Sequence, residues 1–308
     1  MTIDLHHLLG PSGVRAAAEL TGLVDAGSVG RWVRQGRLLR PAPGVLALPD
    51  AVQNWPGRAD VATHWAHRDG GRGWLTGPGA LALWDVLPDP GPVVDLAVDH
   101  ARRAPTGAPP WLRVHRAPVP EYGIRADRPV TMPPRALVDA WGWAHATTGS
   151  PTAVEVARAA VIGAVRRRVC RVREIRRELR RHPNLPGRAA LVELLDLVEG
   201  GCQSEFEIWG LAHLLDVPGL PPVQQQLALD TAVGTVHFDG GWEAARLGVE
   251  LDGARYHRQP EQHEWDVRRD AAVVARGWVT LRISHRRGHD DPEACRRDIA
   301  AAFFARCA

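Results

Sequence analysis

TVHFDGGWEAARLGVELDG, residues 235–253, decides how the last third of the chain is read. Two alternating stretches, 235–241 and 246–253, flank a short connection, which is the pattern of adjacent antiparallel strands. Side chains alternate along a strand, so Glu250 and Asp252 share one face while Val249 and Leu251 enter a core on the other. Asp239 lies on the preceding strand, and the three carboxylates can converge. Clustered carboxylates repel unless a cation compensates, and a hard divalent ion with oxygen ligands does so; Mg²⁺ or Mn²⁺ is the expected cofactor. Asp252-Gly253 is also an ordinary turn signal.

The surrounding pattern extends this unit. SEFEIWGLAHLL, 204–215, reads as a helix opened by a Ser cap with a Glu in its first turns. VQQQLAL, 223–229, precedes the two strands. QHEWDVRRDAAVVARG, 262–277, is a helix closed by Gly277, and WVTLRIS, 278–284, alternates as a strand. DPEACRRDIAAAFF forms the last helix. The order is α-β-β-β-α-β-α. Asp266, Arg268, Arg269 and Asp270 also fit a salt-bridged helix face. His285, Arg286, Arg287 and His289 fit a phosphate-holding loop or a plain polar one.

This order, with an acid on the second strand and E-x-D on the third, resembles the PD-(D/E)XK nuclease superfamily. ELDGARYH followed by WDVRRDAAVVARGWVTLRIS is similar to its very-short-patch-repair (Vsr-like) branch. The resemblance covers about 200–305. It implies a metal-dependent endonuclease or nickase with Asp239, Glu250 and Asp252 as metal ligands and Glu207 as an accessory acid. It assigns His257 to proton transfer and Arg269 to phosphate contact or to orienting Asp266. Asp252 stands where the superfamily usually carries Lys.

The first half reads differently. SGVRAAAELTGL, 12–23, has apolar residues at helical spacing. In DAGSVGRWVRQGRLLRPAPGVLAL, 25–48, Ser28 reads as the cap of a short helix carrying Arg31 and Arg34, with Arg37 beyond it. Two short strands follow around Pro41–Gly44. Helix, helix and hairpin form a winged helix-turn-helix pattern, which presents its second helix to DNA. Residues 50–150 alternate helices and strands, and their many Trp read as core rather than base-stacking platforms.

RRRVCRVREIRRELRR, 166–181, holds nine Arg and two Glu. Val165, Val169, Val172, Ile175 and Leu179 trace an apolar stripe, predicting one amphipathic basic helix. Arg166, Arg167, Arg171, Arg173 and Arg177 are its candidate DNA contacts; a solvated face is the plainer reading. The N-terminal half resembles the winged-helix, antitoxin-like regulators of type IV abortive-infection systems. That resemblance implies an alternative function: a DNA-binding transcriptional regulator or antitoxin with an inactive nuclease-like domain.

The expected organisation is a multidomain α+β or α/β chain. It comprises a winged helix (1–50), an α/β middle (51–150), an Arg-rich helical connector (151–199) and a restriction-endonuclease-like core (200–308). The 308 residues allow two or three domains. All 38 basic residues are Arg, which excludes a Walker A loop and Schiff-base lysine chemistry. GC-rich coding accounts for the missing Lys as well as any functional cause. A net charge of +3 is compatible with DNA as partner. No apolar run approaches the ~20 residues of a membrane span. Without a secretory signal or a C-x-x-C pair among four cysteines, a reduced cytoplasmic protein is expected. No motif specifies a protein partner or a homodimer.

Overall fold

The computed structural model describes residues 4–101, 106–252 and 260–307. The chain divides into two compact units, Met1–Ala189 and Ala190–Ala308. Together they form a mixed α+β protein with three sheets among the described residues.

The first unit opens with α1 (Leu5–Leu9), β1 (Val14–Ala16), α2 (Ala17–Leu23), α3 (Ala26–Arg34), β2 (Leu39–Ala42) and β3 (Val45–Ala47). The three strands form an antiparallel sheet in the order β1-β3-β2. The helix expected over 12–23 is therefore confined to its second half. Val14–Ala16 pairs instead with β3, with Val14 opposite Ala47 and buried. The cap of α3 is Asp25, not Ser28: the Asp25 carboxylate accepts from the Ser28 amide at 2.9 Å, which leaves Ser28 inside the first turn. Helix α3 buries Val29 and Trp32 and exposes Arg31 and Arg34, as its 3–4 spacing requires.

The unit continues through α4 (Trp55–His67), β4 (Gly73–Leu75), α5 (Gly77–Leu83), β5 (Val94–Asp99), β6 (Leu112–Ala117), β7 (Tyr122–Arg125), β8 (Arg128–Thr131) and α6 (Pro133–Ala144). Its second sheet has the order β6-β5-β4-β8-β7. Trp65, Trp74 and Trp141 are buried. Next come α7 (Pro151–Arg166) and α8 (Val172–Arg180), while α9 (Arg188–Glu199) crosses the division between the units.

The single basic helix expected over 166–181 is interrupted. The chain leaves α7 through bonds from Arg167 N to Gly163 O and Arg168 N to Val165 O, with Arg168 at φ 59°. It re-enters at Arg171, whose amide is capped by Glu174 Oε2 at 2.8 Å. Only Val172, Ile175 and Leu179 of the apolar stripe lie on α8, all buried.

The second unit holds α10 (Glu205–His213), β9 (Gln224–Thr231), β10 (Gly234–Trp242), β11 (Leu247–Asp252), α11 (Pro260–Ala275), β12 (Val279–Ser284), α12 (His285–Asp290) and α13 (Pro292–Cys307). Its sheet runs β12-β11-β10-β9. Strands β9, β10 and β11 are an antiparallel meander, and α11 carries the chain over to β12, parallel to β11. One core joins Phe206 and Leu214 to Val249, Leu251, Ile283 and the α13 residues Ile299 and Phe303. A second joins Phe238, Leu227 and Val236 to Val273 of α11 and to Trp278. Gly248 admits this second core close to the sheet: a Cβ there would lie 2.4 Å from the Phe238 ring.

Residues 285–289, expected as a loop, form α12, because Ser284 Oγ accepts the Arg287 amide at 3.3 Å and opens a turn. No helix among the described residues is long and apolar enough to cross a membrane. Cys170, Cys202 and Cys295 are buried free thiols, and Cys307 is an exposed one.

Candidate active site

The acids of the second unit gather where β10 and β11 part. These strands pair from Trp242↔Leu247 to Gly240↔Val249. One residue further along β10, Asp239 Oδ2 accepts the Leu251 amide at 2.7 Å. A side chain thus satisfies a main-chain donor at the end of the ladder. The strand sets the direction of this carboxylate, and the surrounding protein desolvates it. Burial pushes its pKa up to about 6, and the charges of Glu207 and Asp252 push the same way; the Leu251 amide and Arg269 oppose them.

Glu207 is fixed by the start of α10. Ser204 caps the helix, and the Glu207 carboxylate accepts from the Gln203 amide at 2.7 Å and from Ser204 Oγ at 2.8 Å. These two bonds anchor a negative charge within electrostatic reach of Asp239. Asp252, half-buried, ends β11 opposite Ser284 of β12.

Glu250 has a different environment. It is only 8% exposed and lies opposite Arg282 in the parallel register. Arg269 of α11 grips it with both Nη atoms, Nη1 at 3.3 Å from Oε2. Arg282 Nε approaches Oε2 at 3.4 Å, and Arg282 Nη2 continues to Asp270 at 2.7 Å. The result is an Arg269–Glu250–Arg282–Asp270 chain of charges. Desolvation, reinforced by the Arg282 charge, pulls the Arg269 pKa down. Arg282 and Asp270 were not among the expected site residues. The period of β12 carried the signal for Arg282: with Val279, Leu281 and Ile283 on one face, Arg282 falls on the other, beside Glu250.

The acids therefore separate into two environments. The charges of Glu207 and Asp252 act on Asp239, whereas Glu250 is paired with arginines. Among the described residues no three His, Cys, Asp or Glu side chains sit close enough to hold a metal ion. His257 lies outside the described residues.

The candidate DNA contacts of the first unit also differ among themselves. Arg31 and Arg34 are exposed on α3, and Arg37 is half-buried. Arg166, Arg171, Arg173 and Arg177 are exposed around the α7–α8 junction. Arg167 is committed to structure: its Nη2 donates to Val86 O at 2.5 Å and its Nε to Gly163 O at 3.2 Å. Arg181 pairs with Glu178, three residues before it, at 2.9 Å.

No family model matches the chain, and no curated protein does. Among solved structures, the chain is similar to the crystal structure of RV2827C protein from Mycobacterium tuberculosis. Identity is 19% and the TM-score 0.43, over 70% of this chain and 83% of that one. A likeness of that strength carries no argument about fold or function.

Proposed function

We propose that the second unit is a metal-dependent DNA endonuclease or nickase that hydrolyses phosphodiester bonds. In this reading α3 and the Arg-rich segment supply DNA affinity. One observation carries the proposal: the half-buried Asp239 carboxylate, fixed by the Leu251 amide at 2.7 Å, is exposed to the negative charges of Glu207 and Asp252. Such an arrangement costs stability, and a bound cation would offset that cost.

The topology supports the same reading. The α10-β9-β10-β11-α11-β12 order agrees with a restriction-endonuclease-like core of Vsr-like type. The α1-β1-α2-α3-β2-β3 order with its β1-β3-β2 sheet agrees with a winged helix.

The donor chemistry fits Mg²⁺ or Mn²⁺, since every group is a carboxylate oxygen. Asp239 and Asp252 would hold the ion, with Glu207 acting through water. Bound there, the ion would acidify a water molecule and offset charge on the phosphate. Asp239 keeps its direction through the Leu251 amide. Arg269 and Arg282, aligned by Glu250, offer N–H donors to phosphate oxygens and supply positive charge that Asp252 cannot. Their fixed fork costs little reorganisation.

A second reading, a DNA-binding regulator or antitoxin with an inactive nuclease-like domain, is favoured by Glu250 alone. Two arginines already balance its charge without an ion. Cleavage of supercoiled, linear and mismatch-containing DNA by wild type and Asp239→Ala, with Mg²⁺, Mn²⁺ or EDTA, separates the two. Metal-dependent cutting that the substitution abolishes is expected. Salt-sensitive binding without cutting, unchanged by the substitution, supports the regulator.

A further inference from the structure

The first unit contains a cleft of about 870 Å³ that none of the readings above uses. Its size lies within the range of small-molecule sites, about 300–1,000 Å³. The walls are apolar and small. Pro88 and Pro90 line one part, Ala140 and Trp143 of α6 another, and Ala157 and Ala160 of α7 a third. Alanines on two neighbouring helices leave the space that larger side chains would fill.

Trp143 is a preformed wall. Its indole stacks on His115 at 3.8 Å, and it packs so tightly on Gly77 that a Cβ there would lie 2.2 Å from the ring. Val156, 43% exposed, lies on the open side of the same cleft.

Among the described residues, Arg113 is the one basic side chain in the lining, beside Asp89 and Asp95. Asp89 spends its carboxylate on the Gly91 amide at 2.8 Å. Asp95, only 4% exposed, accepts from His115 Nε2 at 2.9 Å and from Arg113 Nη1 at 3.4 Å on the same oxygen. The buried Asp95 is thus held by Arg113 and His115, while Asp89 is exposed and bound to its own loop. The Arg113 side chain is 54% exposed and is held by Asp95 through one nitrogen of its fork, so it can receive a second anion. Ser150, Thr152 and Ala153 at the start of α7 also line the cleft.

We propose that this cleft binds a small apolar carboxylate, an aromatic or aliphatic acid, with its body against Trp143 and the alanines and its carboxylate on Arg113.

Binding to the full chain can be measured by titration calorimetry with three probes of one shape: 1-naphthoate, 1-naphthylmethylamine and 1-naphthalenemethanol. Saturable binding of naphthoate is expected, at least about tenfold tighter than the amine, the scale of a charge-assisted contact. Arg113→Met should weaken naphthoate at least about tenfold and leave the alcohol nearly unchanged. Val156→Trp, at an exposed position, should weaken all three by filling the mouth. Circular dichroism checks that both variants stay folded, and Arg113→Gln, which also removes the charge but keeps a polar side chain, substitutes for the Met variant with the same expected loss if that one unfolds. No saturable binding by any probe overturns the proposal. So does an amine that binds as tightly as naphthoate, or naphthoate affinity indifferent to both substitutions.

Discussion

Asp239 is held in place by one amide and driven towards protonation by its surroundings. Its folded pKa, about 6, exceeds the ~3.9 of an unfolded Asp. Between these values the folded chain binds a proton that the unfolded chain has lost. This contribution is fully present below about pH 4 and is lost as pH rises through about 6. Asp239→Asn keeps an oxygen for the Leu251 amide and removes the charge. In EDTA it should be more stable than wild type at pH 7.5 by about 2–3 kcal/mol, with the difference gone near pH 4. Urea midpoints at the two pH values measure this. Glu250 behaves oppositely. Glu250→Gln leaves Arg269 and Arg282 facing a neutral amide, and a loss of about 2–4 kcal/mol is expected in urea unfolding. The alternation of 248–253 made the shared face of Glu250 and Asp252 legible in the sequence. The grip of Arg269 was not legible, because it depends on how α11 is rotated over the sheet, which no local period specifies.

At the scale of elements, the Arg-rich segment illustrates why a charge block is a poor guide to a helix. Nine arginines made 166–181 look continuous, yet Arg168 adopts φ 59° and the chain restarts at the Glu174 capping box. Capping by Glu174 was readable as chemistry but not as position, since Glu at that spacing equally pairs with Arg177. The same ambiguity hid β1: VRAAAE has good helix formers, and only the β3 partner turns Val14–Ala16 into a strand. These differences divide the arginines by role. Replacing Arg31 and Arg34 together by Ala should lower the slope of log affinity against log salt on duplex DNA by about 2, at about 0.9 per phosphate contact. Arg167→Ala should leave that slope unchanged and instead cost about 1–2 kcal/mol of stability, because it orphans Val86 O. Binding titrations at four salt concentrations, run beside thermal melts, test both expectations.

For the whole molecule, the governing fact is that each unit has its own core. The second unit buries one cluster around Phe206, Val249 and Phe303 and another around Phe238 and Trp278. The first is built on separate sheets and on α6, α7 and α8. Calorimetry in EDTA should therefore resolve two transitions, and the fragment 190–308 should reproduce one of them. Ligand linkage then makes a sharp distinction. A cation that binds only the folded second unit stabilises it by about 2.7 kcal/mol at a free concentration a hundred times its dissociation constant. Mg²⁺ or Mn²⁺ should raise the transition of that fragment and leave the other transition in place. Asp239→Ala should abolish the shift, because it removes the one acid that the strand directs into the gap and the surroundings destabilise. A shift that survives in Asp239→Ala would put the cation elsewhere. The absence of any shift, with DNA binding intact, would favour a scaffold whose charge is balanced by Arg269 and Arg282 alone.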